Sequence, residues 1–239
     1  MKQTFTIQKI REGIHLITEP YFREHANLYL IEGTEYDVLI DCGLGLFDIK
    51  QFLRERGFRP KVFLTHAHFD HMGGVKYFKP AEILATDSVL RNAKNRHLWG
   101  LEHLQPSDFD VVAIRALGGA GPGEFCKSFT LSVPPGIEPL SDTSIIVGPY
   151  EFQLIPAPGH TDDSVLLYDK KSKILISGDA LYDGKIYDEL PNSDKTAFRE
   201  SLASMKACDV ILALPGHNQI LDKGGVAAVI ERWSPFHRK

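Results

Sequence analysis

The stretch Thr65-His66-Ala67-His68-Phe69-Asp70-His71-Met72-Gly73-Gly74 decides the interpretation of the chain, because it places three imidazoles and one carboxylate within six positions. An apolar core has no use for such a group of side chains. Alternate residues of an extended chain face the same way, so we expect His66, His68 and Asp70 to converge on one point. His71 would follow at the turn into a helix. Imidazole and carboxylate ligands suit zinc and other first-row metals, so the stretch predicts a metal site.

Three further donors stand where apolar strands end. His160 and His217 both occur in the context Pro-Gly-His, and Asp179 follows the apolar run that begins at Ile174. Strands that end at one sheet edge deliver their side chains to the same place. The expected donor set therefore comprises five histidines and two aspartates. It can hold two divalent metal ions if one aspartate bridges them, with zinc as the first expectation and iron or manganese as alternatives.

The sequence on either side of this stretch predicts a β meander followed by α/β structure, and then the same order again. We expect a loop-rich segment from Gly100 to Pro139 between the two halves, either a lid or binding loop or a flexible connector. The predicted strands are Thr4–Ile10, Ile14–Glu19, Ala26–Glu32, Tyr36–Asp41, Lys61–Thr65, Ala81–Ala85, Ser144–Val147, Tyr150–Ala157, Ser164–Tyr168, Lys173–Ser177 and Val210–Leu214. The predicted helices are Leu46–Arg56, one starting within His71–Phe78, Asp87–Leu98, Ser193–Lys206 with Ser193 as N-cap, and Gly225–Trp233.

Length, composition and charge exclude several classes of protein. With 239 residues, 43% of them hydrophobic, the chain is expected to form one domain over 1–239. A net charge of −4 argues against a nucleic-acid partner, and no stretch has the length of a membrane span. The three cysteines, Cys42, Cys126 and Cys208, fit a reducing compartment, and the N-terminus lacks the apolar run of a signal peptide. These features predict a cytoplasmic protein; the oligomeric state is left open.

The order of these motifs resembles the metallo-β-lactamase superfamily over nearly the whole chain. The resemblance implies an α/β (α+β) fold, a four-layered αββα sandwich with a binuclear metal site at one edge. It implies that Asp179 bridges two metals and that Asp41, at the end of an early strand, supports the ligand loop. The expected ligands are His66, His68 and His160 for one metal, and Asp70, His71 and His217 for the other.

The expected reaction is hydrolysis by a hydroxide that bridges the two metals. Asp70 would orient this hydroxide, and Tyr182 would either donate its phenol to the developing oxyanion or serve in packing. Segments Ala26–Leu30, Ile40–Leu46 and Ile176–Gly184 resemble an acyl-coenzyme A thioesterase branch of the superfamily. A small-molecule thioester is therefore the expected substrate, and it suits the site because a thiolate leaves without strong need of a general acid.

Other functions remain open at this point. Tyr182 also resembles the N-acyl homoserine lactone lactonases. Glyoxalase II-like or β-lactamase-like hydrolysis is a further alternative, although the short segment after His217 argues against the glyoxalase domain and no export signal supports a secreted β-lactamase. A non-catalytic metal-binding protein is the alternative of another class. Structural zinc sites are usually closed and rich in cysteine, which this set is not.

The remaining charged side chains are interpreted more simply. Histidines outside the motifs are assigned to the surface or core, namely His15, His25, His97, His103 and His237. Coenzyme A phosphates would need basic side chains near the pocket. The candidates are Arg91, Lys94 and Arg96, or Lys170, Lys171 and Lys173, with solvated surface charge as the alternative.

Overall fold

Two six-stranded mixed sheets form the centre of the protein. The computed structural model describes residues 5–19, 22–23, 25–109, 111, 114 and 121–233. The first sheet has the order β1 (Thr6–Arg11), β2 (Ile14–Thr18), β3 (Asn27–Ile31), β4 (Asp37–Ile40), β5 (Pro60–Phe63) and β6 (Ile83–Leu84). The second has the order β12 (Leu221–Asp222), β11 (Leu212–Pro215), β10 (Ile174–Gly178), β9 (Val165–Asp169), β8 (Tyr150–Pro156) and β7 (Ser144–Val147).

Each sheet begins as an antiparallel meander and continues with parallel strands. In the first sheet β4 runs parallel to β5 and β5 to β6, and in the second β10 runs parallel to β11. A parallel connection needs a crossover, usually through a helix. The chain thus repeats one plan twice, a meander followed by α/β structure, as the sequence predicts.

The sheets pack face to face and carry helices on their outer faces. Apolar residues of both sheets share one buried cluster, which contains Tyr29 and Phe63 from the first sheet and Phe152 and Leu214 from the second. Separate clusters lie between each sheet and its helices. The α-helices with described bounds are α1 (Ile49–Arg54), α2 (Phe69–Met72), α3 (Asp87–Ala93), α4 (Pro122–Ser128), α5 (Lys195–Ala207) and α6 (Lys223–Trp233).

This arrangement is the four-layered αββα sandwich that the sequence predicts. Strands β3, β9 and β10 are buried along their whole length because both of their faces are covered. Among the described residues, no helix combines the length and apolarity needed to cross a bilayer.

Local side-chain bonds shift several predicted helix boundaries. The first helix starts at Ile49, not Leu46, because the Asp48 carboxylate accepts the Gln51 N–H at 2.8 Å. The N-cap of α5 is Asp194, whose carboxylate accepts the N–H groups of Thr196 and Ala197. Ser193 instead donates its hydroxyl to the carbonyl oxygen of His160 at 2.6 Å. The prediction of Ser193 as the cap is therefore wrong by one residue.

The predicted helices after the histidines are also shorter than expected. Residues Phe69–Met72 form one α-helical turn, and Gly73–Tyr77 continue as a 3-10 helix. Helix α3 ends at Ala93, and Arg96–Leu98 form a separate 3-10 turn. The predicted loop-rich segment contains α4 and two 3-10 turns, Leu101–His103 and Pro106–Asp108. Positions 1–4 and His237 lie outside the described residues.

Candidate metal centre

The loop after β5 is anchored to both sheets. Its Thr65 N–H donates to the Asp41 carboxylate at 2.8 Å, and the Thr65 carbonyl accepts the Val165 N–H at 3.0 Å. The Ala67 N–H, between two of the histidines, donates to the buried carboxylate of Asp163 at 3.1 Å. Bonds on both sides fix the direction in which the flanking imidazoles point.

The backbone conformation divides the histidine stretch between two clusters. The chain is extended only as far as His68, and the helical turn α2 begins at Phe69. Asp70 therefore turns away from His66 and His68 and lies with His71 and His217. The expectation that His66, His68 and Asp70 share one point is wrong, because it assumed an extended chain through position 70.

The first cluster brings together His66, His68, His160 and Asp179, all buried, with one potential ligand atom of each within 4.8 Å of the others. The Nδ1 atom of His68 lies 3.0 Å from Nε2 of His160, and the same His160 atom lies 3.5 Å from Asp179 Oδ2. Ligands about 2.0–2.1 Å from a tetrahedral zinc ion are separated by similar distances. The spacing is that of donors around one ion.

The second cluster brings together Asp70, His71 and His217. The two imidazole Nε2 atoms are 3.4 Å apart, and the His217 nitrogen lies 3.4 Å from Asp70 Oδ2. Asp179 lies against this cluster too, with Oδ1 3.3 Å from His71 Nε2 and Oδ2 3.2 Å from His217 Nε2. Its carboxylate therefore faces both clusters.

The donors fit divalent metals. His66 Nε2 and Asp179 Oδ1 are buried and make no hydrogen bond within the described part of the chain. Leaving such atoms unpaired is costly, and a metal ion would satisfy them. The clusters can therefore hold two divalent ions, for which zinc, iron and manganese all accept this mixture of imidazole and carboxylate.

Hydrogen bonds to the Nδ1 atoms of three imidazoles leave the Nε2 atom of each ring facing its cluster. His71 Nδ1 donates to Asp41 Oδ2 at 2.8 Å, and His160 Nδ1 donates to the Tyr187 carbonyl oxygen at 2.7 Å. Thr65 Oγ1 donates to Asp41 Oδ2 at 2.8 Å and accepts the His66 Nδ1 proton at 2.9 Å. Such outer partners fix the tautomer of a metal ligand.

Replacing Asp41 by alanine should weaken metal binding by about ten- to a hundredfold, because His71 and Thr65 would lose the acceptor that orients them. Competition with a coloured chelator measures this affinity. Asp37→Ala is a control, since within the described part of the chain that buried carboxylate accepts only the backbone N–H groups of Gly33 and Arg59. Equal metal affinity of the Asp41 variant and the native protein would exclude a supporting role.

The two clusters differ in proton affinity. Burial lowers the pKa of His66 and of His160, and it lowers that of His68 to about 3. Burial also opposes protonation of His71 and His217, but the carboxylates of Asp179 and Asp70 outweigh it. They raise the pKa of His71 well above its usual value and that of His217 to about 10. Without metal, protons occupy the second cluster at neutral pH.

Metal binding should therefore release about two protons from the second cluster at pH 7, since a ligating imidazole cannot keep a proton on the ligating nitrogen. The affinity for metal should fall as the pH falls. Above about pH 10 His217 has already lost its proton, so its contribution to this pH dependence should end there. Calorimetric titration with Zn²⁺ in buffers of different ionisation enthalpy counts the protons. A heat independent of the buffer would contradict the expected release.

The backbone around the clusters leaves no space for extra atoms. A Cβ atom at Gly216 would lie 2.3 Å from Asp179 Oδ1 and 2.9 Å from His71 Cε1. A Cβ atom at Gly73 would lie 2.2 Å from the Leu44 carbonyl oxygen. Glycine at position 216 lets the end of β11 approach the clusters, and glycine at position 73 lets the turn after the histidines pack against the backbone at Leu44.

A pocket of about 250 Å³ opens onto both clusters. Its lining includes the donors His68, Asp70, His160, Asp179 and His217. Apolar side chains of Phe22, Phe69 and Leu190 form other parts of the wall. The metal clusters are thus open to a small molecule on one side, unlike a closed structural site.

Part of the predicted loop-rich segment forms a wall beside this pocket. Phe109, Phe125 and Phe129 join Phe22 and Phe69 in a closed ring of aromatic contacts, with successive centroids 5.0–6.2 Å apart. Phe69 stands between the ligands His68 and Asp70. The segment is therefore packed directly onto the ligand loop, and Gly100 and His103 line the pocket.

Tyr182 lies in the pocket wall, but its hydroxyl donates to the carbonyl oxygen of Lys185. Its ring packs 5.6 Å from that of His217. An oxyanion role requires the hydroxyl to turn away from this acceptor. Both alternatives for Tyr182, donor and packing residue, stay open.

Several residues that line the pocket belong to none of the sequence motifs. Arg23, His25, His103, Lys185, Tyr187 and Asn218 all line the pocket. His25 and His103 are not ordinary surface histidines; His103 packs 5.2 Å from the Tyr187 ring. These residues lie on irregular segments, so no strand or helix periodicity marks them.

The basic residues expected near the pocket are elsewhere. Arg91 pairs with Asp87, Lys173 pairs with Asp209, and Arg96 donates to the Phe129 carbonyl oxygen. Lys170 and Lys171 border a separate depression beside Ile146. None of the six expected cations lines the pocket over the metal clusters.

An αββα sandwich with an open His/Asp centre at one edge defines a metal-dependent hydrolase. The chain belongs to the metallo-beta-lactamase superfamily, whose family model matches residues 22–217. It is 31% identical to acyl-coenzyme A thioesterase MBLAC2 of Gallus gallus over 235 residues, covering 89% of this chain and 80% of the relative. The human protein of the same name is 30% identical over 232 residues, covering 88% and 80%.

Solved structures agree with this fold. The crystal structure of TTHA1623 in a di-iron-bound form is 28% identical, with a TM-score of 0.59 over 88% of this chain and 94% of that one. A metallo-beta-lactamase from Pontibacter korlensis has a TM-score of 0.66 at 18% identity, covering 96% of this chain and 98% of that one. The second likeness bears on the fold alone.

Proposed function

We propose that the chain is a binuclear metal-dependent hydrolase that cleaves a thioester of the acyl-coenzyme A kind. The observation that carries the proposal is the Asp179 carboxylate between the two donor clusters, with Oδ2 3.5 Å from His160 Nε2 and 3.2 Å from His217 Nε2. The likeness to the MBLAC2 thioesterases supports the substrate class.

In this proposal His66, His68 and His160 would hold one metal and Asp70, His71 and His217 would hold the other, with the Asp179 carboxylate facing both clusters. Zinc is the proposed ion, with iron or manganese as alternatives. Two such ions lower the pKa of a water molecule and polarise the carbonyl that is attacked. The protein supplies the donor geometry and the pocket.

Asp70 is proposed to orient the attacking water as well as to bind metal. Its side chain keeps 11% of its surface exposed toward solvent, whereas the Asp179 side chain keeps 6%. In the metal-free protein burial opposes ionisation of Asp70, but the neighbouring His71 and His217 lower its pKa. A bound metal ion would supply positive charge in place of their protons, so Asp70 would stay a carboxylate and could accept a hydrogen bond from the water.

A thioester matches the side chains of this pocket. A thiolate leaves without protonation, whereas an amide nitrogen must be protonated to leave. The titratable groups nearest the clusters are proposed metal ligands and would be unable to supply that proton. The apolar wall formed by Phe22, Phe69 and Leu190 offers a surface for an acyl chain.

Tyr182→Phe distinguishes the two roles left open for this residue. If the phenol donates to the developing oxyanion, kcat should fall by up to about a hundredfold. The test compares kcat at saturating substrate. Tyr77→Phe is the control, because its hydroxyl donates to the Gly45 carbonyl oxygen and neither residue lines the pocket. An unchanged kcat would assign Tyr182 to packing.

The substrate class is tested by a parallel assay of metal-loaded and chelated protein. The substrates are a long-chain acyl-coenzyme A, S-lactoylglutathione, an N-acyl homoserine lactone and a chromogenic cephalosporin. Preferential, metal-dependent thioester cleavage of the acyl-coenzyme A supports the proposal. Preference for the lactone would replace it with the lactonase, the second candidate, to which Tyr182 in the pocket wall points. Silence on all four would favour a non-catalytic metal-binding protein.

The proposal treats residues 1–239 as one catalytic domain that acts on a small molecule and not on nucleic acid. It places the enzyme in the cytoplasm. The free thiols of Cys42, Cys126 and Cys208 support a reducing compartment.

A further inference from the structure

We infer that Arg23 and Lys185 together recognise phosphate groups on the thiol half of the substrate. The inference rests on the proposed thioesterase function and names the residues that select a phosphorylated thiol. Both side chains line the pocket over the metal clusters, and both are exposed. Arginine forms bidentate bonds to phosphate, and lysine acts as a point charge.

Arg23 is held near the metal centre through its neighbours. Its N–H donates to the Asp108 carbonyl oxygen at 2.8 Å, and the preceding Phe22 forms a bridge with Phe109. The Phe22 ring packs 6.0 Å from Phe69, which lies between two proposed ligands. The backbone that carries Arg23 is thus fixed relative to the ligand loop.

Lys185 is held in a similar way by different residues. Its carbonyl oxygen accepts the Tyr182 hydroxyl, and its ammonium group lies 5.0 Å from the centre of the Tyr187 ring. The Tyr187 carbonyl oxygen accepts the Nδ1 proton of His160. The Tyr182 hydrogen bond thus holds the backbone of Lys185. The Tyr187 ring holds its ammonium group beside a residue that is itself bonded to the proposed ligand His160.

Neither cation is neutralised by a described acidic side chain. The nearby carboxylates have other partners: Asp183 pairs with Arg232, and Asp188 and Glu189 both pair with Lys195. Asp108, which also lines the pocket, accepts the N–H of Gln105 through its carboxylate.

The chain has a net charge of −4, so two exposed cations in one pocket do not simply reflect a basic protein surface. Apart from Asp70 and Asp179, which would face the metals, Asp108 is the only acidic residue among those lining the described pocket. The pocket therefore favours a substrate that carries negative charge away from the scissile bond. Coenzyme A has this chemistry, while pantetheine has the same thiol arm without phosphate.

The test compares one acyl group on coenzyme A and on pantetheine. In the native protein kcat/KM should be higher for the coenzyme A ester, and added salt should reduce that preference by screening. Arg23→Gln with Lys185→Gln should lower the ratio of the two kcat/KM values by about ten- to a hundredfold, mainly through KM, because charge-assisted bonds are lost. Lys171→Gln, an exposed lysine outside this pocket, is the matched control.

A ratio that does not change in the double variant would overturn the inference, as would a native ratio near one. Hydrolysis of the pantetheine ester reports on the proposed thioesterase function alone, so the two failures are distinguishable. Calorimetric binding of desulfo-coenzyme A, which has no thiol to bind metal, tests recognition without turnover. The double variant should bind it at least about tenfold more weakly; equal affinity would overturn the inference.

Discussion

Replacing Asp70 or His160 by alanine should lower metal-dependent hydrolysis by at least about a thousandfold while the protein stays folded. Each change removes one donor from a different cluster. Neither side chain belongs to the apolar clusters that join the sheets and helices. The loss should therefore appear in kcat and in metal content but not in the circular dichroism spectrum.

The measurement is kcat together with bound metal per chain for both variants. His97→Ala serves as a control, because His97 is an exposed histidine outside both clusters. Near-normal, metal-dependent kcat in either ligand variant would contradict the assignment of that residue.

Gly216→Ala should lower activity by about a hundredfold or more, although it adds one methyl group and removes no ligand. The added Cβ would lie 2.3 Å from Asp179 Oδ1 and 2.9 Å from His71 Cε1, so the side chains of two proposed metal ligands must move. A displacement of about 1 Å at a catalytic centre is enough to cost a hundredfold or more. We expect reduced metal content as well as reduced kcat.

Gly123→Ala is the matched control, since a Cβ atom at that exposed position meets nothing within 4 Å. Metal analysis and steady-state kinetics of the two glycine variants make the comparison. Native metal content and native kcat in Gly216→Ala would show that the ligands tolerate the displacement, and the close packing described for this strand end would have no functional role.

The fold could be predicted because its signals are local. Runs of apolar residues mark the central strands, and Gly57 and other turn residues separate them. The ends of the helices were less predictable, because single side-chain hydrogen bonds decide where a helix begins. The Asp48 and Asp194 caps each set a helix start that hydrophobic periodicity alone did not locate.

The metal clusters were predictable as a set, because their donors stand in short motifs at strand ends. The family resemblance implied the division of the donors, but the strand pattern alone did not, because it depends on the helical turn at Phe69 that places Asp70 with the second cluster. The pocket was not predictable in the same way. Arg23, Lys185 and Tyr187 come from irregular segments that only the tertiary structure brings together.

Two metal ions, one in each cluster, are proposed to be required for thioester hydrolysis. Titration of metal-free protein with Zn²⁺, followed by measurement of the free thiol released from an acyl-coenzyme A, tests this requirement. We expect no activity without metal and maximal activity when about two ions are bound per chain, the number that two such clusters hold. Thioester hydrolysis at full rate in the chelated protein, or saturation by a single ion, would contradict it.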